Sequence, residues 1–589
     1  MDYRFGPLVD DNATTFRLYA PSAKAPQLIL KDREPVRLAA AEDGFWTVRV
    51  EGVGEGARYR FRSGDLEFPD LASRQQDGGS NGWSLVRRPF APSGREGPVS
   101  PWYEAVFCEV HVGTVTPEGT FAALMQRLEY FRDAGYTTLE LLPVATFPGN
   151  RNWGYDGTLL FAPAEAYGTP DDFRALVDRA HELRLCIVLD VVYNHFGEVD
   201  NFARDYVPEW FAPEVKTPWG PAINFENPLV RQFYYENACM WLSAYDLDGL
   251  RFDAVHEFKT DAADRFIHEL AEKSRGVKRP AKLILENVKN IASLLVRDEA
   301  GEPIHYTAQW NDDIHHVVHF LVTGEKRQGY EDESRDPIAD LEKGLRDGFV
   351  HDGEAPGESD GRTGGEPGSD LPPEAFVGFV QNHDQIGNRP DGKRLADRIS
   401  ADKLDFVQFL AMLAPHLPQF FMGEEAHIRS CFTFFVDLEG EAARTKRDDR
   451  YRQMREIFNE DVEEGGLPDP SDPETFEMSK FAWDELALPE RQAALERFRQ
   501  LAAWRRELVW PLLETTSLSA VSWRHDQCLI VTWGFEAGWL SMALNPSDEP
   551  HDLVCELTGP PVHTGTYEQQ GDRLRLGAWS AVAWTAPRR

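Results

Sequence analysis

Three carboxylates stand directly behind apolar runs in this chain. Asp253 closes Gly249-Leu250-Arg251-Phe252, Glu286 closes Leu283-Ile284-Leu285, and Asp384 follows Phe376 to Val380 by way of Gln381-Asn382-His383. If Gly249 to Asp253 is a buried strand, residues two apart share a face, so Arg251 and Asp253 project together with Phe252 on the other side. A neighbouring arginine favours the ionised carboxylate, the form a nucleophile needs. Arg-x-Asp taken alone is more often the pattern of a structural ion pair at a strand end. A fourth run, Cys186 to Val192, ends in Asp190-Val-Val-Tyr193-Asn194-His195 and brings a histidine to the same kind of position.

The elements that position these residues follow from the rhythm of the chain. From about residue 102, apolar runs alternate with amphipathic segments of helical spacing. The runs are Val106–Val110, Thr138–Leu142, Cys186–Val192, Gly249–Asp253, Leu283–Glu286, Thr307–Trp310, Phe376–Val380 and Gln419–Met422. Thr169-Pro170-Asp171-Asp172 opens one of the intervening helices. Eight such strands with helices between them predict an α/β fold, a (β/α)8 TIM barrel. Active sites of that fold lie at the carboxyl ends of the strands, where the three acids, His195 and His383 would converge.

Residues 1–95 carry short alternating runs (Thr15 to Tyr19, Gln27 to Leu30, Trp46 to Val50, Tyr59 to Arg62) split by Gly, Pro and Asp. They predict an N-terminal antiparallel β-sandwich. The barrel is expected over 101–509, with an aromatic- and Pro-rich excursion at about 196–228, and a C-terminal antiparallel β domain over 510–589. Residues 351–373 have the composition of a mobile loop.

Bulk properties limit the function. A formal charge of −36 over 589 residues excludes the basic footprint of a nucleic-acid or anionic-membrane binder and is compatible with a neutral ligand such as a carbohydrate. The six cysteines form no CxxC pair, so neither a disulfide framework nor a zinc site is expected. With no leader pattern and no run of about 18 apolar residues, a cytoplasmic location is expected.

The chemistry that suits this set is glycoside hydrolysis, in which a retaining enzyme uses two carboxyl groups about 5–5.5 Å apart, one nucleophile and one proton donor. Strands four and five are neighbours in a barrel. Asp253 would attack the anomeric carbon, Glu286 would protonate the leaving oxygen and then activate water, and Asp384 would stabilise oxocarbenium-like charge. His195 and His383 suit hydrogen bonds to sugar hydroxyls.

Asp190-Val-Val-Tyr-Asn-His195, Gly249-Leu-Arg-Phe-Asp253, Glu286 and Asn382-His383-Asp384 resemble the four signature regions of the α-amylase family of glycoside hydrolases. Further stretches are similar to the subgroup of that family that acts on maltooligosyltrehalose: His111-Val-Gly-Thr114, Trp153-Gly-Tyr-Asp-Gly157, Trp310-Asn-Asp-Asp313-Ile-His-His316 and Gln381 to Arg389. The resemblance implies hydrolysis of the α-1,4 bond beside a terminal trehalose unit, on maltooligosyltrehalose or a related α-glucan oligosaccharide. It implies Asp253, Glu286 and Asp384 as the catalytic residues, and Tyr155, His195, Arg251, His256, Asn382, His383 and Gln385 as substrate contacts. It places Asp312, Asp313, His315 and His316 on the leaving-group side, or alternatively at a helix N-terminus with capping acids; His256 is equally a packed loop residue. Asn194 stands where some relatives bind calcium, but no acidic cage surrounds it, and neither metal nor cofactor is expected. Three positions depart from the subgroup pattern: Ala426, Asp437-Leu438 without a following histidine, and Asn287-Val288 after Glu286. The alternatives are an α-glucan branching enzyme, a less specific maltooligosaccharide hydrolase and a non-catalytic glucan-binding protein.

Overall fold

A computed structural model of the chain describes residues 3–92, 99–277, 281–326, 335–353, 365–458 and 466–588. Strands of a parallel sheet are buried on both faces and therefore read as nearly continuous apolar runs. The eight runs of the sequence form these strands: β1 (Phe107–Val110), β2 (Thr138–Leu141), β3 (Cys186–Val191), β4 (Gly249–Phe252), β5 (Lys282–Leu285), β6 (Ala308–Asn311), β7 (Phe376–Gly378) and β8 (Leu417–Phe421). Each is parallel to the next, and β1 pairs with β8 to close the barrel. The barrel predicted from the sequence is therefore present, with each strand within about two residues of its expected bounds.

Inside the barrel, Phe107, Val188, Ile284, Ala308, Trp310, Val377 and Leu417 form a buried apolar plug. Two residues further along several strands the inward side chains become polar: Glu109, Glu140, Asp190 and Arg251, all at most 3% exposed. The barrel thus has a dry lower layer and a charged upper one. Between strands, helix α1 (Pro170–Glu182) begins where the sequence signalled it, with Thr169 and Asp172 satisfying each other's backbone N–H in a capping box.

Two antiparallel sheets precede the barrel. One joins Leu8–Val9, Ala13–Tyr19, Phe45–Glu51 and Ala39–Ala40; the other is built around Gln27–Leu30, Arg58–Ser63 and Trp83–Leu85. After the barrel come a five-stranded sheet around Cys528–Phe535 and Gly538–Asn545, and a three-stranded one around Arg573–Leu576. The segment after β3 folds as a short helix (Ala203–Tyr206) and an antiparallel pair, Phe211–Thr217 with Gly220–Ile223. Most of its aromatics pack the fold. Tyr206 stacks on Phe68 at 3.9 Å, Phe225 on Phe266 at 4.0 Å, and the buried Trp210 meets Phe5, Tyr19 and Phe233. Trp219 instead lies flat on the His195 ring at 4.2 Å. Of the 351–373 passage, residues 354–364 lie outside the described residues. Its flanks are held, with Asp352 on Lys343 at 2.6 Å and Glu366 accepting the Ser293 N–H at 2.6 Å.

The loop after β2 turns at Gly154, whose φ is +107°, and a Cβ there would lie 2.1 Å from the Pro143 carbonyl oxygen. Neither the angle nor the space admits a side chain. Gly154→Ala is expected to cost about 1–3 kcal/mol, read as a lowered thermal midpoint by calorimetry. An unchanged midpoint would show that the turn relaxes without strain.

Candidate active site

Arg251 is the centre of the site. It projects from β4 with no exposed surface, and its guanidinium meets three acids from three strands. Nη1 donates to Asp190 Oδ2 at 2.6 Å and to Asp253 Oδ1 at 2.9 Å, and Nη2 donates to Glu286 Oε2 at 2.7 Å. The ring of Trp310 lies 3.9 Å beneath it, adding cation–π attraction to a desolvated cation. The register explains the convergence. Asp190 on β3 is the direct partner of Arg251, and Phe252 pairs with Leu285, so the next residues, Asp253 and Glu286, leave the barrel side by side. The sequence reading gave Arg251 to Asp253 alone. The structure corrects this, because a cross-strand neighbour cannot be seen without the register.

Further contacts fix each acid. Asn194 Nδ2 donates to Asp253 Oδ2 at 2.8 Å. Ala254, held at φ +40°, turns its N–H onto Glu286 Oε2 at 2.8 Å. A non-glycine residue in that region is strained, and here the strain aims a donor at a carboxylate. Asp253 and Glu286 side chains are 13% and 16% exposed, open at the rim and anchored below.

Asp384 sits on the first turn of helix α2 (His383–Gly387) after β7. Asn382 caps that turn, its Oδ1 accepting the Asp384 N–H at 2.9 Å, and Gln385 Oε1 accepts the Asn382 N–H at 2.9 Å. Asn382 and Gln385, expected as substrate contacts, thus use these side-chain oxygens to hold the turn that carries Asp384. Asn388 Nδ2 donates to Asp384 Oδ1 at 2.9 Å, and the Asp384 side chain is 40% exposed.

The other expected residues divide. Tyr155 donates its hydroxyl to Asp190 Oδ2 at 2.7 Å and lies parallel to the His383 ring at 5.1 Å, so both belong to the site. His195 meets the Tyr155 carbonyl through Nε2 at 2.9 Å; burial pushes its imidazole down to about 4. Burial would also lower His383, but the Asp384 and Glu109 carboxylates outweigh it and raise the ring to about 9. His256 is half-buried in the turn Val255–Glu257 just past Asp253. Asp312 and Asp313 lie in the first turn of helix α3 (Asp312–Thr323), which Asn311 caps. Asp313 is turned inward, its Oδ2 accepting from Val350 N, His351 N and Asn290 Nδ2 at 2.8–3.0 Å. His315 has no exposed surface and places Nδ1 on the Val380 carbonyl, while His316 is 9% exposed. Asp313 and His315 therefore brace the β6 and β7 ends from within, because a helix presents only one face to the rim.

Two acids in the floor escaped the sequence reading. Glu109 on β1 holds His383, and Glu140 on β2 is 1% exposed, with both oxygens lacking a hydrogen-bond partner among the described residues. Each is a lone acid inside an apolar parallel strand, and that misfit is the signal that marks it. Burial, offset in part by Arg251 and reinforced by Glu109 and Asp190, pushes Glu140 well above the usual carboxylate range. Burial and Asp253, against Arg251, push Asp190 up to about 7.

Of the departures, Ala426 and Asp437 lie outside these contacts, whereas Asn287 directly follows Glu286 and accepts the Lys289 N–H on its Oδ1 at 3.1 Å. Ala426 has no exposed surface. Asp437 pairs with Arg151 and accepts the Asn150 N–H at 2.7 Å, bracing the loop that carries Tyr155. Asn194, the position linked to calcium, spends its amide on Asp253 and meets the His195 ring through Oδ1. Among the described residues no group of three or more His, Cys, Asp or Glu side chains is arranged to hold a metal ion, and no helix is long and apolar enough to cross a membrane.

Comparison with known proteins decides the family. Residues 72–219 match the alpha amylase catalytic domain. A malto-oligosyltrehalose trehalohydrolase of Rhizobium sp. (strain M-11) is 35% identical over 92% of this chain and 92% of its own length. One from Saccharolobus solfataricus is 34% identical over 81% and 83%. The chain belongs to the malto-oligosyltrehalose trehalohydrolase family. A crystal structure from Salmonella typhimurium, assigned by name to the alpha amylases, superposes with a TM-score of 0.92 at 37% identity over the whole of both chains. A pullulanase of Paenibacillus barengoltzii in complex with maltotetraose shares the fold at 17% identity, TM-score 0.72. A 1,4-alpha-glucan branching enzyme of Nocardia farcinica matches 41% of this chain at 32% identity.

The state of Glu140 sets a pH dependence. Its folded value lies above the 4.5 of the free group, so its contribution to stability is full below pH 4.5 and is lost as pH rises through the folded value. Glu140→Gln removes that loss. Its stability relative to wild type is expected to grow, by at most about 1.4 kcal/mol per pH unit, as pH rises above about 4.5, followed by thermal midpoints across a pH series. A gap that stays constant with pH would mean that Glu140 ionises freely.

Proposed function

We propose that this protein is a retaining glycoside hydrolase that cleaves the α-1,4-glucosidic bond next to the terminal trehalose unit of maltooligosyltrehalose, releasing trehalose and a shortened α-glucan. The observation that carries the chemistry is the placement of Asp253 and Glu286 on the two ends of one guanidinium fork. Two carboxyls held this way suit the short separation, about 5–5.5 Å, of a double displacement rather than the wider gap of an inverting pair. The family relationship carries the choice of substrate.

In this reading Asp253, oriented by Arg251 and Asn194, attacks the anomeric carbon. Oε2 of Glu286 is filled by Arg251 and the Ala254 N–H, so the proton for the leaving oxygen belongs on Oε1. The same oxygen then takes a proton from the water that resolves the glycosyl-enzyme. Asp384, the more exposed of the three acids, faces the sugar whose ring becomes oxocarbenium-like. Tyr155 offers the sugar beside the cleaved bond a flat ring, and His195 and His383 line the same rim. The six cysteines are free thiols, in keeping with a reducing compartment, and a cytoplasmic location completes the proposal.

Product analysis with maltooligosyltrehalose beside maltopentaose tests the reading. Trehalose release from the first, well ahead of any cleavage of the second, is the expected result. New α-1,6 branches from amylose without trehalose release would overturn it in favour of a transferase. Glu286→Gln is expected to lower kcat by roughly 10²–10⁴ while substrate binding, measured by calorimetry, is largely kept; a variant of near wild-type rate would remove Glu286 from its role.

A further inference from the structure

Behind Asp384 lies a charged chain that the proposed mechanism does not use. Glu109, at the carboxyl end of β1, is 2% exposed in its side chain, as is His383. Its Oε2 accepts the His383 backbone N–H at 2.9 Å and its Oε1 meets His383 Nδ1 at 2.5 Å. The opposite nitrogen, Nε2, faces Asp384 Oδ1 at 3.5 Å. The imidazole between them has no room to turn. Tyr155 stacks on it at 5.1 Å, Trp153 meets it edge-on at 5.3 Å, and Trp310 lies on a further side at 6.3 Å.

We propose that Glu109 is a positioning residue: by gripping His383 at both its backbone and Nδ1 it keeps the ring doubly protonated, so that Nε2–H is presented to Asp384 and the sugar beside it at every working pH. The inference rests on the reading of this cleft as a glycosidase site.

The charges around the ring agree with this. Glu109 from β1 and Asp384 from its own turn favour the imidazolium, and Glu140 from β2 adds to them in whatever fraction it ionises. Arg251 from β4 opposes it, and His111 stays neutral because burial pushes it down to about 4. With Nδ1–H bound to Glu109, a neutral His383 would offer Nε2 as an acceptor and turn a lone pair toward the Asp384 carboxylate, which is repulsive. A protonated ring offers a donor instead, to the acid and to a hydroxyl oxygen alike. Glu109 thereby sets the polarity of the β7 rim without touching substrate.

Glu109→Gln keeps the size and an acceptor for the His383 N–H but removes the charge. The ratio of kcat/KM, wild type over variant, is expected to rise roughly tenfold or more between about pH 5.5 and pH 8, as the ring falls back toward the ordinary imidazole value near 6.5. Glu109→Asp, which keeps the charge, should hold the ratio flat. A pH-independent ratio for Glu109→Gln would overturn the proposal, because loss of packing alone does not titrate. Should Glu109→Gln fail to fold, the histidine ¹⁵N spectrum of the wild type decides, with the His383 signals identified by their loss in His383→Asn. A ring still doubly protonated at about pH 8 supports the proposal, and a neutral one overturns it. A wild type that releases no trehalose would sink the proposed function itself, whereas an active wild type with an unmoved ratio sinks only the role of Glu109.

Discussion

The guanidinium of Arg251 is the constraint on which the site depends. A cation with no exposed surface, removed from water, costs several kcal/mol unless its charge is paired. Pairing this one through Nη1 and Nη2 draws acids from β3, β4 and β5 to a single point. The planar fork fixes their directions as well as their distances, and the Trp310 face lies 3.9 Å below it. A lysine would supply the charge but not the geometry. The same contacts that neutralise the arginine set the spacing of the two carboxyls proposed to react, so in that reading stability and chemistry share one set of hydrogen bonds.

That arrangement has a consequence for the rest of the floor. Acids already paired on Arg251 leave little positive charge for Glu140, whose buried carboxyl is pushed well above the usual range, and even Asp190, paired on Arg251, is raised to about 7 by burial and by Asp253. A second cation is made locally from His383, held by Glu109 and Asp384. His195, a few residues past β3, has no such flanking pair and is neutral. Two histidines that look alike in sequence thus end in opposite states, because protonation is decided by the acids packed against each ring.

The barrel was legible because parallel strands are buried on both faces, which leaves unbroken apolar runs, and the acids that end those runs fall at the rim by topology alone. What the pattern hid was everything that depends on register or on helix rotation. Arg251 read as the partner of Asp253, whereas Asp190 and Glu286 become its neighbours only across strands. Asn382 and Gln385 have the polarity of sugar-binding residues and cap a turn. Asp313 and His315 lie one and three positions into a helix, and the face they occupy points into the protein. Glu109 and Glu140 are inconspicuous in the sequence, because one acid in a short strand resembles ordinary solvent-facing alternation until closure of the barrel turns it inward.

The charge layout also suits the substrate proposed for it. Six carboxyl groups (Glu109, Glu140, Asp190, Asp253, Glu286 and Asp384) face two cations, Arg251 and the His383 ring, at the barrel mouth. A neutral oligosaccharide gains little from such a field in its ground state. In the proposed mechanism, as the glycosidic bond breaks and the sugar ring takes on positive charge, the ionised members of this set would stabilise it, and they are already fixed in place, so little reorganisation is needed. An interaction that appears only as charge develops raises the rate without tightening the resting complex. In that reading the excess of acid acts on the transition state, and the raised values of Glu140 and Asp190 keep the excess of charge within what the fold tolerates.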